Sequence, residues 1–243
     1  MSNTRIYATD KSFDIGCRVI KWDEEKGIDF HPYGKYVKRD VSNAELQGVL
    51  KQFTVHWSVT YRAIHMKGGL IARGLSCNFM IDDDPNDTGY STIYQCLDLS
   101  QGGWSQGGGC NGLGPGVEIS YMPQAWSDQH AYSERRQQRY GVGEHDQRMA
   151  DIHGTRMRVF LPTQAQMNAL YQLLWGYSEL FPDIPMTFPR DAAGKPLTKV
   201  LKAPREYVGL LQHYHIKRGK IDAAGLDMEV IEDEVAKRKK WGF

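Results

Sequence analysis

Residues 42–57 read SNAELQGVLKQFTVHW, and the period of the apolar residues changes inside that stretch. Ser42 and Glu45 form the S-x-x-E pattern that reciprocally satisfies the first backbone donors of a helix. Leu46, Val49 and Leu50 follow at helical spacing, which predicts a short helix over about 43–51. From Phe53 the period is two: Phe53, Val55 and Trp57 point one way, Thr54 and His56 the other, as in a strand. Outward from there the same alternation of element types recurs. SCNFMI (76–81), TIYQCL (92–97), GVEISY (116–121) and YVGLLQHYHI (207–216) read as strands. DDDPNDTG (82–89) is turn chemistry, so the first two of these form a hairpin. Residues 60–73 read as helical up to a break at Gly68-Gly69. Thr163 and Gln166 make a second capping box, and Met167, Leu170, Tyr171, Leu174, Tyr177 and Phe181 form an apolar stripe behind it. That predicts a helix over about 164–181. Residues 182–204 are a loop, and Asp227 caps a closing helix that ends in the basic run Lys237 to Lys240. Strands interleaved with helices define an α/β chain with a central mixed β-sheet flanked by helices. Residues 1–40 lack a clean period, and 1–45 read as an N-terminal extension packed on the main domain, 46–243. Residues 123–160 are polar and read as an excursion outside the core. Their arginines Arg135, Arg136, Arg139 and Arg148, near Trp126 and Tyr132, suggest a surface that tunes substrate or partner choice.

The chain has 243 residues, which suits one large domain or two small ones. Hydrophobic residues are 41% and charged residues 24%, which excludes bulk disorder. Thirty basic against 29 acidic residues give no global electrostatic reason for nucleic-acid binding. No stretch approaches the ~18 apolar residues of a membrane-spanning helix. MSNTRIYATDKSFDIG has no apolar signal region, so a standard secretory signal is not expected and synthesis in the cytoplasm is. Cys17, Cys77, Cys96 and Cys110 form no CxxC pair, which argues against a disulfide framework or a cysteine zinc site.

His56 is a polar residue placed mid-strand between apolar neighbours. His213-Tyr-His215-Ile-Lys-Arg-Gly-Lys220-Ile-Asp222 gathers two imidazoles, a lysine and a carboxylate into ten residues. On a strand, His213 and His215 share a face. Zinc takes about four ligands and leaves one position open in catalytic sites. His56, one of the 213/215 pair and Asp222 would supply three. Glu118, in GVEISY, alternates with Val117 and Ile119, and a glutamate facing such a site can act as general base. Gly107-x-Gly109-x-x-Gly112 is formally a dinucleotide fingerprint, but Pro115 and a strand follow where a helix is required. Those glycines serve a close approach of backbone to a ligand, or a turn.

Three segments in order resemble zinc-dependent N-acetylmuramoyl-L-alanine amidases, the family that includes phage amidase-type lysozymes and peptidoglycan-recognition proteins. Thr54-Val-His56-Trp-Ser58 is similar to the strand bearing the first zinc ligand. Cys110-Asn111-Gly-Leu-Gly-Pro-Gly116-Val-Glu118 is similar to the "CN…GIE" strand with the acid/base glutamate. His213 to Asp222 resembles the "GH…I…KTDP" segment, which holds the second histidine, a lysine near the scissile carbonyl and the third ligand. The resemblance covers about residues 50–232. It implies one zinc at the floor of an open groove, held by His56, His213 and Asp222, with Glu118 and Lys220 catalytic. It selects His213 over His215. It places Cys77, Gln106 and Asn111 in the substrate groove, with Cys77 where phage members have a tyrosine and Gln106 where many have a histidine. Asp222-Ala-Ala-Gly stands where the family has DPGP. The implied activity is hydrolysis of the amide between N-acetylmuramic acid and L-alanine, on the cell wall or its fragments. The setting would be that of a phage lysin, a recycling enzyme or an exported effector. Two other readings follow from the same residues: a module that holds muramyl peptides without cutting them, and a zinc hydrolase of another acylated amino acid.

Overall fold

The structure is a computed structural model that describes residues 3–84 and 88–242. In chain order, β1 (Arg5–Ala8) and β2 (Lys11–Asp14) form a hairpin, followed by β3 (Val19–Lys21), β4 (Tyr36–Val37), α1 (Asn43–Val49), β5 (Gln52–Trp57) and α2 (Ala63–Ala72). Next come β6 (Phe79–Ile81), β7 (Ile93–Gln95), β8 (Gly102–Gly103), β9 (Gly116–Ile119), α3 (Glu134–Tyr140), β10 (Gln147–Ile152) and β11 (Thr155–Phe160). The chain closes with α4 (Gln164–Leu180), β12 (Gly209–Gln212), the short α5 (His213–Ile216) and α6 (Met228–Trp241). The central sheet has six strands in the order β12-β5-β9-β6-β7-β3. The first four run parallel; β7 is antiparallel to β6, and β3 is parallel to β7. This is the mixed α/β sheet expected.

Both faces of the sheet are covered. Phe53, Val55, Phe79, Ile81, Val117 and Ile119 share one core with Leu170, Leu174 and Tyr177 of α4, against which α6 packs. Met80 belongs to a second cluster with Ala63, Met66 and Leu70 of α2. The Ser42/Glu45 and Thr163/Gln166 capping boxes are both formed. Gln166 also reaches inward, donating to the carbonyls of Ser120 (2.6 Å) and Asp82 (3.2 Å), so the cap ties α4 to the sheet as well as starting it.

Four expectations need correction. First, α2 runs through Gly68-Gly69. Its start is fixed by Asp82, whose carboxylate accepts from Arg62 Nε (3.0 Å) and Nη2 (2.8 Å) and from the Ala63 amide (2.8 Å). An anion at a helix N-terminus is favourable, and burial of Met66 and Leu70 carries the helix past two poor helix formers. Second, residues 207–216 are a four-residue strand that turns into α5, so His213 and His215 share no strand face. Third, residues 123–160 are not wholly outside the core, although most of the segment is a surface layer. Tyr132, Val142, Ile152, Val159 and Phe160 join the main cluster. Inside this segment His145 bridges the Leu161 carbonyl (2.6 Å) and the buried Asp83 carboxylate (2.8 Å), under the stacked Tyr132 ring. Fourth, the glycine-rich loop makes the turns expected of it, with positive φ at Gly107, Gly108, Gly109 and Gly112, but its close approach is to the protein's own backbone. A Cβ at Gly114 would collide with the Gln52 carbonyl, and one at Gly102 with Gly112. Residues 1–45 supply the edge strand β3, and Ile6, Ala8 and Ile15 enter the main core. The 82–89 turn includes Pro85, Asn86 and Asp87, which lie outside the described residues; β6 and β7 pair antiparallel as expected of its flanks.

Added methyl groups at Gly68 and Gly69 meet nothing within 4 Å. Gly68→Ala and Gly69→Ala should therefore each stabilise the protein by about 0.5–1 kcal/mol, the helical cost of glycine. Urea denaturation checks this, and destabilisation would show that α2 needs to bend there.

Candidate functional site

The site grows from strand register. His56 lies opposite Glu118 on β9, Glu118 lies opposite Met80 on β6, and Gln212 pairs with Val55. His213, one residue past β12, therefore sits level with His56. Side chains in register on neighbouring strands share a face, so His213, His56 and Glu118 form a row at the carboxyl ends of parallel strands, on the face covered by α2. Crevices outside those ends are where open α/β sheets place ligands.

The nearest side-chain atoms meet closely. His56 Nδ1 is 3.0 Å from His213 Nδ1 and 3.1 Å from Asp222 Oδ2, and His213 Nδ1 is 2.8 Å from the same oxygen. All three residues are buried. Burial drives the His56 imidazole down to about 4, helped by the neighbouring His213. Burial alone would raise the Asp222 carboxyl, but hydrogen bonds from His213 and His56 outweigh it and hold the group well below the carboxylate range. The result favours a neutral imidazole and an ionised carboxylate, the protonation states a metal requires. Tetrahedral zinc with donors about 2.0–2.1 Å away sets them roughly 3.3 Å apart, close to these separations. His56 Nε2 is buried without a partner, so its only strong polar contacts are made through Nδ1. The donor set thus fits a zinc ion.

Backbone contacts hold the ligating loop. The Tyr214 amide donates to the Asp222 carbonyl (3.0 Å), and His153 Nε2 donates to the Lys220 carbonyl (3.1 Å) from the β10–β11 turn. His215 is committed elsewhere: Nδ1 accepts from the Gln212 amide (3.0 Å) and Nε2 donates to the Leu197 carbonyl (2.6 Å). Both of its nitrogens hold the turn from β12 into α5.

Glu118, Lys220, His213 and Asp222 line one pocket of about 180 Å³, together with Trp57, Ser105 and Arg73. Glu118 is buried and its Oε2 has no partner. Burial, and then the charge of Asp222, hold its carboxyl well above the usual range, with Arg73 and Lys220 opposing. The structure thus brings together His56, His213, Asp222, Glu118 and Lys220. Cys77, Gln106 and Asn111 do not line the pocket. Cys77 is packed with Ile28, Phe30 and Met80. Gln106 is buried and donates to the Gly114 carbonyl (2.9 Å). Asn111 Oδ1 accepts from the amides of Gln106 (3.0 Å) and Gly107 (2.9 Å). All three shape the scaffold around the pocket. Arg73 was not foreseen, because a helix broken at Gly68-Gly69 would not have carried it to the rim.

No family model matches the chain, and no curated protein matches it. Among solved structures it is similar to AmpDH3 from Pseudomonas aeruginosa in complex with anhydromuramic pentapeptide. The TM-score is 0.45 and the identity 15%, over 87% of this chain and 65% of that one. It is also similar to the E. coli N-acetylmuramyl-L-alanine amidase AmiD in complex with anhydro-N-acetylmuramic acid-L-Ala-D-γ-Glu-L-Lys. There the TM-score is 0.37 and the identity 12%, over 75% of this chain and 55% of that one. The chain thus spans less than two thirds of either structure's length.

Two predictions follow from the site. His56→Ala, His213→Ala and Asp222→Ala should each lose zinc, whereas His215→Ala should keep it; elemental analysis showing zinc lost only from His215→Ala would reverse the assignment. In metal-stripped protein, the unfolded chain takes up a proton at His56 near its ordinary 6.5, while the folded site resists until about 4. Stability should fall as the pH drops across that window, by up to about 3 kcal/mol, and Asp222 gives way only at lower pH. Chemical denaturation of the wild type and of His56→Gln at pH 7 and pH 4.5 isolates that contribution from those of buried His215, which has the same sign, and buried Glu118, which has the opposite one; the same change with pH in both proteins would contradict the buried neutral imidazole.

Proposed function

We propose that the protein is a zinc-dependent amidase that hydrolyses the amide between N-acetylmuramic acid and the L-alanine of a peptidoglycan stem peptide. The observation that carries the amidase reading is one pocket in which His213 and Asp222, converging with His56 as three donors, stand beside a buried carboxyl group, Glu118, whose Oε2 has no partner. The choice of bond rests on the resemblance of the three ordered segments around His56, Glu118 and His213 to Asp222.

His56, His213 and Asp222 would hold the metal, leaving a position open toward the pocket. Zinc, when bound, supplies Lewis acidity that polarises a carbonyl and eases loss of a proton from water. Glu118 takes that proton and passes it to the departing amine nitrogen. A carboxyl held above its ordinary range by burial suits both halves of that transfer near neutral pH. Lys220 presents an ammonium to the carbonyl oxygen as negative charge develops on it, and the small, partly enclosed pocket strengthens that interaction. Ser105, with its hydroxyl buried and unpartnered, and Arg73 complete the polar lining.

The test uses purified peptidoglycan. Mass spectrometry of the digest should show free stem peptides with an N-terminal L-alanine. Glu118→Gln keeps size and hydrogen bonding but accepts no proton, so turnover should fall about 10²–10⁴-fold with zinc content unchanged. Normal turnover with normal zinc would remove Glu118 from the mechanism. Binding of muramyl peptides by zinc-loaded wild-type protein without any cleavage would make the chain a recognition module instead.

A further inference from the structure

A second cavity, lined by arginines that the sequence marked, lies beside the first pocket, and the mechanism does not use it. It has a volume of about 580 Å³ and is lined by Tyr61, Asp128, Arg135, Arg136, Arg139 and Tyr140, among others. That volume falls in the range of small-ligand sites. Its position follows from the chain: Val59 lines the first pocket and Tyr61 the second. Two residues of backbone span at most about 7 Å. A second link is aromatic: Trp57 in the first pocket lies 6.4 Å from the exposed Trp126 of the same 123–140 segment that carries the arginines.

The cavity is cationic, with three guanidinium groups against the single carboxylate of Asp128. Arg136 is already engaged, pairing with Asp128 and donating to Tyr61 Oη (3.5 Å). Arg135 forms no ion pair with any described residue, and Arg139 only overlies the Tyr140 ring at 5.3 Å. Tyr140 stacks in turn on Tyr61 at 4.2 Å, which gives the wall a rigid aromatic face. Arg135 and Arg139 are four residues apart on α3 and so stand on one side of that helix, about 5–6 Å apart at Cβ. Two free planar forks at that spacing match two carboxylates a few bonds apart, each accepting a bidentate pair.

We propose that this cavity binds the carboxylates of an acidic peptide, the part of the substrate that continues from the scissile amide in the neighbouring pocket; that continuation rests on the amidase reading above.

Calorimetric titration of the full-length protein with the dipeptide Ala-Glu tests the assignment without zinc or turnover. The dipeptide carries two carboxylates and lacks the muramoyl amide that the proposed activity would cut. Binding should weaken about tenfold in Arg135→Gln/Arg139→Gln, and about as much when the wild type is given the dipeptide diamide. The two losses should not add, since each removes the same pairs. Both arginines are exposed, so the variant should melt as the wild type does. Equal affinity for dipeptide and diamide, no effect of the double substitution, or no binding at millimolar dipeptide would overturn the proposal. So would inorganic phosphate binding more tightly than the dipeptide and losing affinity in the same variant. If Ala-Glu binds as expected while peptidoglycan stays uncut, the amidase reading fails and the carboxylate site stands.

Discussion

Three lone-pair donors, two imidazole nitrogens and a carboxylate oxygen, sit within 3.1 Å of one another on buried residues. A neutral imidazole carries one N–H, and no placement of two such protons satisfies all three contacts along good hydrogen-bond directions. A cation among them resolves the conflict. Everything nearby serves to hold that arrangement against its own cost: β5 sits between β12 and β9, and the parallel register brings His213, His56 and Glu118 into line. The site therefore depends on one register of pairing, and a one-residue slip of β5 would turn His56 into the α4 core.

Those residues were readable because strand alternation marks a polar side chain between apolar ones. His56 and Glu118 each interrupt an apolar run at period two, and Asp222 follows a dense cluster of titratable groups. Both capping boxes were legible for the same local reason. What failed depended on where elements end. Nothing in QHYHI announces that the strand stops at Gln212; the stop is enforced by His215, whose two nitrogens bond the Gln212 amide and the Leu197 carbonyl. The second of those partners is 18 residues away, beyond the reach of any local pattern. Choosing His213 over His215 from the residues alone was therefore not possible, and the choice came from resemblance.

The polar stretch 123–160 misled for a different reason. Its hairpin exposes four of the six residues of β10, and α3 buries none. Composition there reports the surface, while the core contribution comes from isolated residues such as Tyr132, Val142 and Phe160. A thin layer wrapped over an existing core needs few apolar residues to be held. The buried His145–Asp83 pair and the His153 contact to Lys220 fasten it at two points that sequence spacing does not reveal. The same layer carries the cationic cavity, so its arginines are presented on a fixed surface.

The glycine loop differs from every other contact around the pocket. Where Gly114 lies against the Gln52 carbonyl and Gly102 against Gly112, the fit is made by the absence of a side chain. Such a junction carries no chemical signature of its own and asks nothing of its neighbours' side chains. Evolution can therefore repaint the solvent-facing positions of this loop, Trp104 among them, without disturbing the floor beneath, so long as these bare positions stay bare. Two proteins built on this frame could diverge widely in what they recognise while the ground under their pockets stays still.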